Sequence, residues 1–93
     1  MRNLIQIRII DRGNEEVEIR IRGHADYSPR GSDIVCSAVS ALYISLCKST
    51  KGKEDVFGDE RRLIVKKGGE LNMAICGFDL IAKDYPENVT LEK

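Results

Sequence analysis

The sequence predicts an α/β domain of the α+β type in two layers: a mainly antiparallel sheet of four to five strands with two helices on one face. Three observations carry that expectation. Residues 4–10 and 17–22 alternate apolar with polar side chains, the two-residue period of a strand with one buried face. From about residue 33 to 48, and again from Leu71 to Tyr85, apolar side chains recur at the spacing of a helix face. Short alternating runs around Val56–Val65 and Val89–Leu91 supply the remaining strands.

Taken in order, Ile5, Ile7 and Ile9 share one face of the first strand. After the turn DRGNEE, Val17, Ile19 and Ile21 alternate with Glu18, Arg20 and Arg22, so the two runs make an antiparallel hairpin. Gly23 ends it, because a residue without a Cβ lets the backbone turn sharply just before His24. Residues 27–32, YSPRGS, have the composition of a loop, with Pro29 and Gly31 as breakers. Ser32 and Asp33 are N-cap candidates for a first helix over about 33–48, with Val35, Val39, Leu42 and Leu46 along one face. Few charges precede Lys48, so this helix is apolar or small nearly all round and should be covered on more than one side. Ser37, Ala38, Ser40, Ala41 and Ser45 keep it slim enough to pack closely on another element, such as the same helix of a second subunit.

STKGKED reads as a polar connection. Val56 and Phe57 before Gly58–Asp59, with Leu63, Ile64 and Val65 after it, read as a second hairpin. In the next segment Leu71, Met73 and Ile75 alternate like a strand, while Leu71, Ala74, Ile75, Phe78, Ile81, Ala82 and Tyr85 share a helical face. The helical pattern persists for about four turns and the strand pattern stops at Gly77. A helix is therefore expected, with a glycine inside it that costs about 1 kcal/mol relative to alanine. Pro86 ends this helix, and Val89 and Leu91 alternate in a last strand.

At 93 residues the chain fits one domain, 1–93, small enough that self-association would add useful burial. A composition 42% hydrophobic and 32% charged is that of a soluble globular domain, and no run approaches the ~18 apolar residues of a membrane span. The opening MRNLIQIRII lacks the apolar stretch and cleavage site of a secretory signal, so a cytoplasmic location away from membranes is expected. Fifteen basic residues balance fifteen acidic ones, leaving no net charge to draw the chain to nucleic acid. The three cysteines, at 36, 47 and 76, form no C-x-x-C pair and fit neither a disulfide framework nor a zinc motif. At least one thiol should be free, and no metal is expected.

His24 is the only histidine, and with Cys36 it brackets the loop. The positive end of a helix macrodipole favours a thiolate at the helix start, and a protonated His24 beside it would favour the thiolate further. A thiolate, an imidazole to protonate the leaving group, and free helix amides to receive an oxyanion are the parts of a cysteine-nucleophile site. Each also has a plain structural reading: a cysteine near a helix start is often a small buried hydrophobe, and a lone histidine is often structural. Cys47 and Cys76 fall within apolar helical patterns and read as packing. Cys36, Ser40, Tyr43 and Cys47 share one helical stripe, either the wall of a cleft or an ordinary interface.

The run GHADYSPRGSDIVCSAVSAL, residues 23–42, resembles the signature of the ribosomal-processing cysteine protease family, called Prp or YsxB-like: G-H-A, a short variable loop, then G-x-D-I-V-C-x-A-V-S-A-L. The preceding hairpin and the end DYPENVTLEK are similar in layout. The resemblance implies a cysteine endopeptidase that removes an N-terminal extension from a bacterial large-subunit ribosomal protein during ribosome assembly. It further implies a homodimer of small α/β subunits, with no metal or organic cofactor. On the matching positions it implies His24 as catalytic histidine, Cys36 as nucleophile, Gly23 and Gly31 as glycines bounding a mobile loop, and Asp33 and Ser40 as residues able to orient the imidazole. Asp33 is the better chemical candidate, since a carboxylate can hold an imidazolium, although capping a helix would already give it a role.

The family's preference for a hydrophobic, aromatic-containing cleavage sequence implies an apolar groove beside the dyad. The loop Ala25–Ser32 would close over it when peptide binds, with Tyr27 either in that lid or facing solvent. Two other readings stay open. A non-catalytic, ribosome-associated adaptor of the same fold would bind peptide in the groove without needing both His24 and Cys36. A redox-sensing thiol protein would use Cys36, but no resolving cysteine lies nearby in sequence.

Overall fold

The computed structural model describes residues 4–23 and 30–93, and side chains from residue 34 onward in the second stretch. Two hairpins supply four of its strands. β1 (Ile5–Gly13) and β2 (Glu16–Arg22) pair antiparallel, with Ile7 opposite Ile21 and Ile9 opposite Ile19. The connection is tighter than the expected DRGNEE turn. Asp11, Arg12 and Gly13 stay in β1 across a register shift, and only Asn14 and Glu15 turn, both left-handed at φ 53 and 65. Two successive left-handed residues match the twist of the flanking strands.

The second hairpin joins β3 (Lys53–Phe57) to β4 (Glu60–Lys66) through the expected Gly58–Asp59 turn. Lys53, Glu54 and Asp55 belong to β3 rather than to a polar connection, because pairing with β4 satisfies backbone groups that a loop would leave to water. β5 (Val89–Glu92) pairs parallel with β1 and completes the order β3-β4-β2-β1-β5. The sheet is thus five-stranded and mixed, antiparallel in every pairing but that one.

The first helix, α1, covers Arg30–Thr50. It starts ahead of the N-cap expected at Ser32 or Asp33 and takes in Arg30, Gly31 and Ser32, which were expected in the loop. A glycine weakens a helix interior, but the first four amides of any helix lack intrahelical partners, so Gly31 and Ser32 are tolerated there. At the other end α1 runs past residue 48, where the Ser49 and Thr50 hydroxyls donate to the Leu46 carbonyl at 3.3 and 2.6 Å. Lys51 then turns left-handed at φ 54.

The disputed segment is a helix, α2 (Gly69–Asp84), and it buries Leu71, Ala74 and Phe78 as the helical pattern required. Tyr85, placed on that face, is exposed, and so is Cys76, expected to pack; Cys76 lies on the opposite stripe with exposed Met73 and Leu80. Gly77 has a positive reason to be there. A Cβ on it would meet Leu42 Cδ1 of α1 at 2.7 Å, so the glycine permits close approach of the helices.

One buried cluster unites the elements: Ile5, Ile7, Ile19 and Leu63 of the sheet with Val35, Val39, Tyr43 and Leu46 of α1 and Phe78 of α2. Val56 and Phe57 are exposed, and α1 leaves Ile34 and Ile44 exposed at 62% and 45%. The second cover expected for α1 is therefore not provided by the described residues. Glu18 is buried among charges instead: its carboxylate receives Arg12 at 2.6 Å and Arg20. The hydrogen bond from Arg20, with help from Arg12, holds its carboxyl below the ordinary value of 4.5 against the opposing effect of burial. Among the described residues no helix is long and apolar enough to cross a membrane.

Candidate active site

Positions four and three apart on a helix stack along one face, so α1 presents Cys36, Ser40 and Tyr43 in a line. They form one wall of a groove of about 480 Å³. Ile21 and Gly23, from the end of β2, form a second wall, and Val56, Asp59 and Arg61 of the β3–β4 hairpin a third. The stripe read from the sequence is thus the wall of a cleft for three of its members. The fourth, Cys47, is partly buried against the core.

Cys36 is a free, half-buried thiol. Because α1 begins at Arg30, Cys36 lies in its second turn rather than at its start. The field of a helix terminus fades within one turn, so Cys36 stands farther from it than a helix beginning at residue 33 would have placed it. Helical side chains lean toward the N-terminus, which directs the sulfur back over the first turn of α1, where amides lack intrahelical partners.

Ser40, one turn on, is exposed at the groove. Gly23 has φ 84, a left-handed conformation, and a Cβ there would collide with the carbonyl oxygen of Leu4. Only glycine fits the point where β2 reaches the groove. Of the residues singled out by sequence, Cys36, Ser40 and Gly23 come together here. Gly31 and Asp33 lie in the first turn of α1, with the Asp33 side chain outside the described residues. His24, the chain neighbour of Gly23, lies outside them with Tyr27 and the other members of 24–29.

Farther along the groove stands Tyr43, which the sequence already placed on the stripe, and beside it are Arg61 and Glu54, which sequence reasoning missed. Tyr43 is 2% exposed, and its hydroxyl has no hydrogen-bond partner among the described residues. Burial, and then the nearby carboxylate of Glu54, push its pKa up, so the phenol stays neutral. Glu54 is paired with Arg61 at 3.5 Å. A signal for these charges was available in register: Glu54 stands opposite buried Leu63, and Arg61 opposite Ile21, on the apolar face of their strands. A charged residue on an apolar register is out of pattern and marks a polar opening in the core.

The sequence profile of the family described as cysteine protease Prp matches residues 4–90. Among solved structures, the ribosomal processing protease Prp from S. aureus with a covalently linked product peptide aligns over 96% of this chain and 98% of that chain, at 21% identity and TM-score 0.74. The same protease with a substrate peptide aligns with equal coverage at 18% identity and TM-score 0.73. SMU.848 from Streptococcus mutans covers 97% of this chain and 93% of its own at 25% identity, with TM-score 0.70. No curated protein matches the chain.

Proposed function

The chain belongs to the cysteine protease Prp family, and on that premise we propose that residues 1–93 form one protease domain, a cysteine endopeptidase that removes the N-terminal extension of a bacterial large-subunit ribosomal protein during ribosome assembly. The observation that carries the reading is Cys36: a free thiol, half-buried, on the wall of a groove with room for several peptide side chains.

In the proposed reaction His24 takes the thiol proton and the Cys36 sulfur attacks the scissile carbonyl carbon. Unpartnered amides of the first α1 turn receive the oxyanion, and the sulfur leans toward them. His24 then gives its proton to the leaving amine, the carbon–nitrogen bond breaks, and a thioester remains on Cys36. Water, activated by His24, hydrolyses it and restores the thiol. Asp33 or Ser40 orients the imidazole, and the segment 25–29, between Gly23 and the Gly31 end of α1, closes over the peptide. No metal or organic cofactor takes part.

Two further elements belong to the proposal. The exposed Ile34 of α1, which does not line the groove, supports a homodimer through helical surface, since a second copy would cover what this chain leaves bare. A cytoplasmic location belongs to the same reading, and the balanced charge supports a protein that meets its substrate as a peptide, without binding nucleic acid or membrane itself. The test is to incubate the purified protein with synthetic peptides that reproduce the N-terminal extensions of its host's large-subunit ribosomal proteins and to read cleavage by mass spectrometry. The parent should cut, while Cys36→Ala and His24→Ala should stop cleavage and retain the parent's circular dichroism. A parent that binds such a peptide without cutting it would overturn the enzyme in favour of the peptide-binding adaptor.

A further inference from the structure

We propose that the face of the sheet turned away from the buried cluster docks an acidic α-helix of a partner protein, laid across the strands with its carboxylates on Arg8, Arg20 and Arg62. The inference concerns the side of the sheet remote from the groove. It holds whatever the groove binds.

Side chains alternate along a strand, so the residues next to buried Ile7, Ile19 and Leu63 face away from the core. Among them are Arg8, Arg20 and Arg62, and pairing sets these three directly opposite one another across the adjacent strands β1, β2 and β4. Three like charges in register work against the sheet, which gains from opposite signs on facing positions. The fold nevertheless holds each guanidinium in place. Glu92 receives the Nε of Arg8 at 2.9 Å, Glu60 that of Arg62 at 2.7 Å, and Glu18 that of Arg20. Arg62 also lies over the exposed ring of Phe57, 5.1 Å from its centre. A guanidinium carries five N–H donors and a contact at Nε uses one, so most of the donors in the row are left for a further acceptor. All three arginine side chains stay partly exposed.

Charge and spacing then decide the occupant. In register the row continues to Asp55 on β3 and to Glu92 on β5, so across the sheet it reads acid, three arginines, acid. Its complement is a short acidic stretch with a basic residue at each end, which a polypeptide of mixed charge supplies. A nucleic acid backbone, negative throughout, would run its phosphates onto Asp55 and Glu92. Neighbouring strands lie about 4.8 Å apart, which puts the outer two arginines about 9.6 Å apart at the backbone. Successive turns of an α-helix repeat every ~5.4 Å, or about 10.8 Å over three charges. Same-face side chains of an extended segment would need about 13 Å. The helix matches the row to within the reach of an arginine side chain, and its apolar residues would cover Phe57.

The test is the fluorescence anisotropy of a labelled, alanine-based helical peptide added to the full-length protein at low salt. The peptide carries Glu at three successive turns of one face and Lys one turn before and one turn after them. Exposed charge pairs are weak singly, but three together should make it bind about tenfold or more tightly than its Gln analogue, and than an isomer with the same residues spread around the helix. Arg8→Gln combined with Arg62→Gln should cut that advantage to about twofold or less at unchanged circular dichroism. Arg20 is left in place because it also holds buried Glu18. Arg8→Lys combined with Arg62→Lys, which keeps the charges, should retain most of the advantage, and a single-stranded uridine oligonucleotide should bind more weakly than the Glu peptide. Equal binding of the isomer, an advantage that survives the double Gln variant, tighter binding of the oligonucleotide, or no binding of the Glu peptide at millimolar concentration overturns the proposal.

Discussion

On β2, Glu18 is 4% exposed and its two carboxylate oxygens are held by Arg12 and Arg20; on α1, Tyr43 is 2% exposed and its hydroxyl, near the Glu54 carboxylate, makes no full hydrogen bond among the described residues. The sequence spends two arginines on the first group. It surrounds the second with apolar neighbours and leaves a charged pair, Glu54 and Arg61, close by. Burial is nearly equal, so burial is not what separates them. What separates them is pairing: the first group is fully satisfied within the fold, and the second, at a groove, has hydrogen-bonding capacity to spare. The same division separates the sheet around Glu18, whose polar groups are paired, from the groove around Cys36 and Tyr43, which is open.

The division can be broken at the residue that joins the two regions. Gly23 ends β2 at the groove in a left-handed conformation that closes directly on the Leu4 carbonyl. Gly23→Ala should therefore cost about 3 kcal/mol of stability in urea unfolding, combining backbone strain with displacement of β1. A loss below about 1 kcal/mol would mean that this edge rearranges freely and that the two regions are less firmly coupled than drawn.

A smaller effect sharpens the Glu18 side. Glu18→Gln keeps volume and removes charge, and should cost about 1–2 kcal/mol near neutral pH, a figure held low because both arginines remain partly exposed. Since the folded carboxyl titrates below its ordinary value of 4.5, the stabilisation is complete above that value and is lost as pH falls through the lowered one. The gap between parent and variant should shrink below about pH 4. A gap that persists undiminished to about pH 2 would contradict the charge-pair account.

The smallest effect belongs to Tyr43. Removing an unpaired buried hydroxyl should leave stability within about 0.5 kcal/mol, or raise it by up to about 1 kcal/mol. A loss beyond about 1.5 kcal/mol in Tyr43→Phe would show that the hydroxyl is already paired in the free protein, and the contrast with Glu18 would fail.

Much of this was legible in the sequence because period carries it. Val17, Ile19 and Ile21 could only be one face of a strand, and Leu71, Ala74 and Phe78 could only be one face of a helix once the strand pattern failed at Gly77. Boundaries were harder, because competing groups share them. Gly31 and Ser32 look like loop residues yet sit in the one helical turn that tolerates them, and Asp55 looks like a connection yet pairs in β3 opposite Arg62. Gly77 was legible only as a cost, since its benefit depends on Leu42 of another helix. At the site, Cys36, Ser40 and Tyr43 were visible as a stripe because helical spacing is local. Glu54 and Arg61 were not placed beside it, because that juxtaposition depends on strand pairing and on how α1 meets the hairpin.

The central claim is that the groove, and within it Cys36, is the reactive part of the molecule. Brief iodoacetamide treatment of the folded protein, followed by mass mapping of the three cysteines, tests it without any knowledge of the substrate. Exposure alone would order the thiols with exposed Cys76 first and half-buried Cys36 no faster than half-buried Cys47. The account predicts the reverse, Cys36 modified ahead of Cys76, with His24→Ala bringing Cys36 down to the rate of Cys47. Cys76 modified first, with Cys36 and Cys47 indistinguishable in the parent, would contradict it.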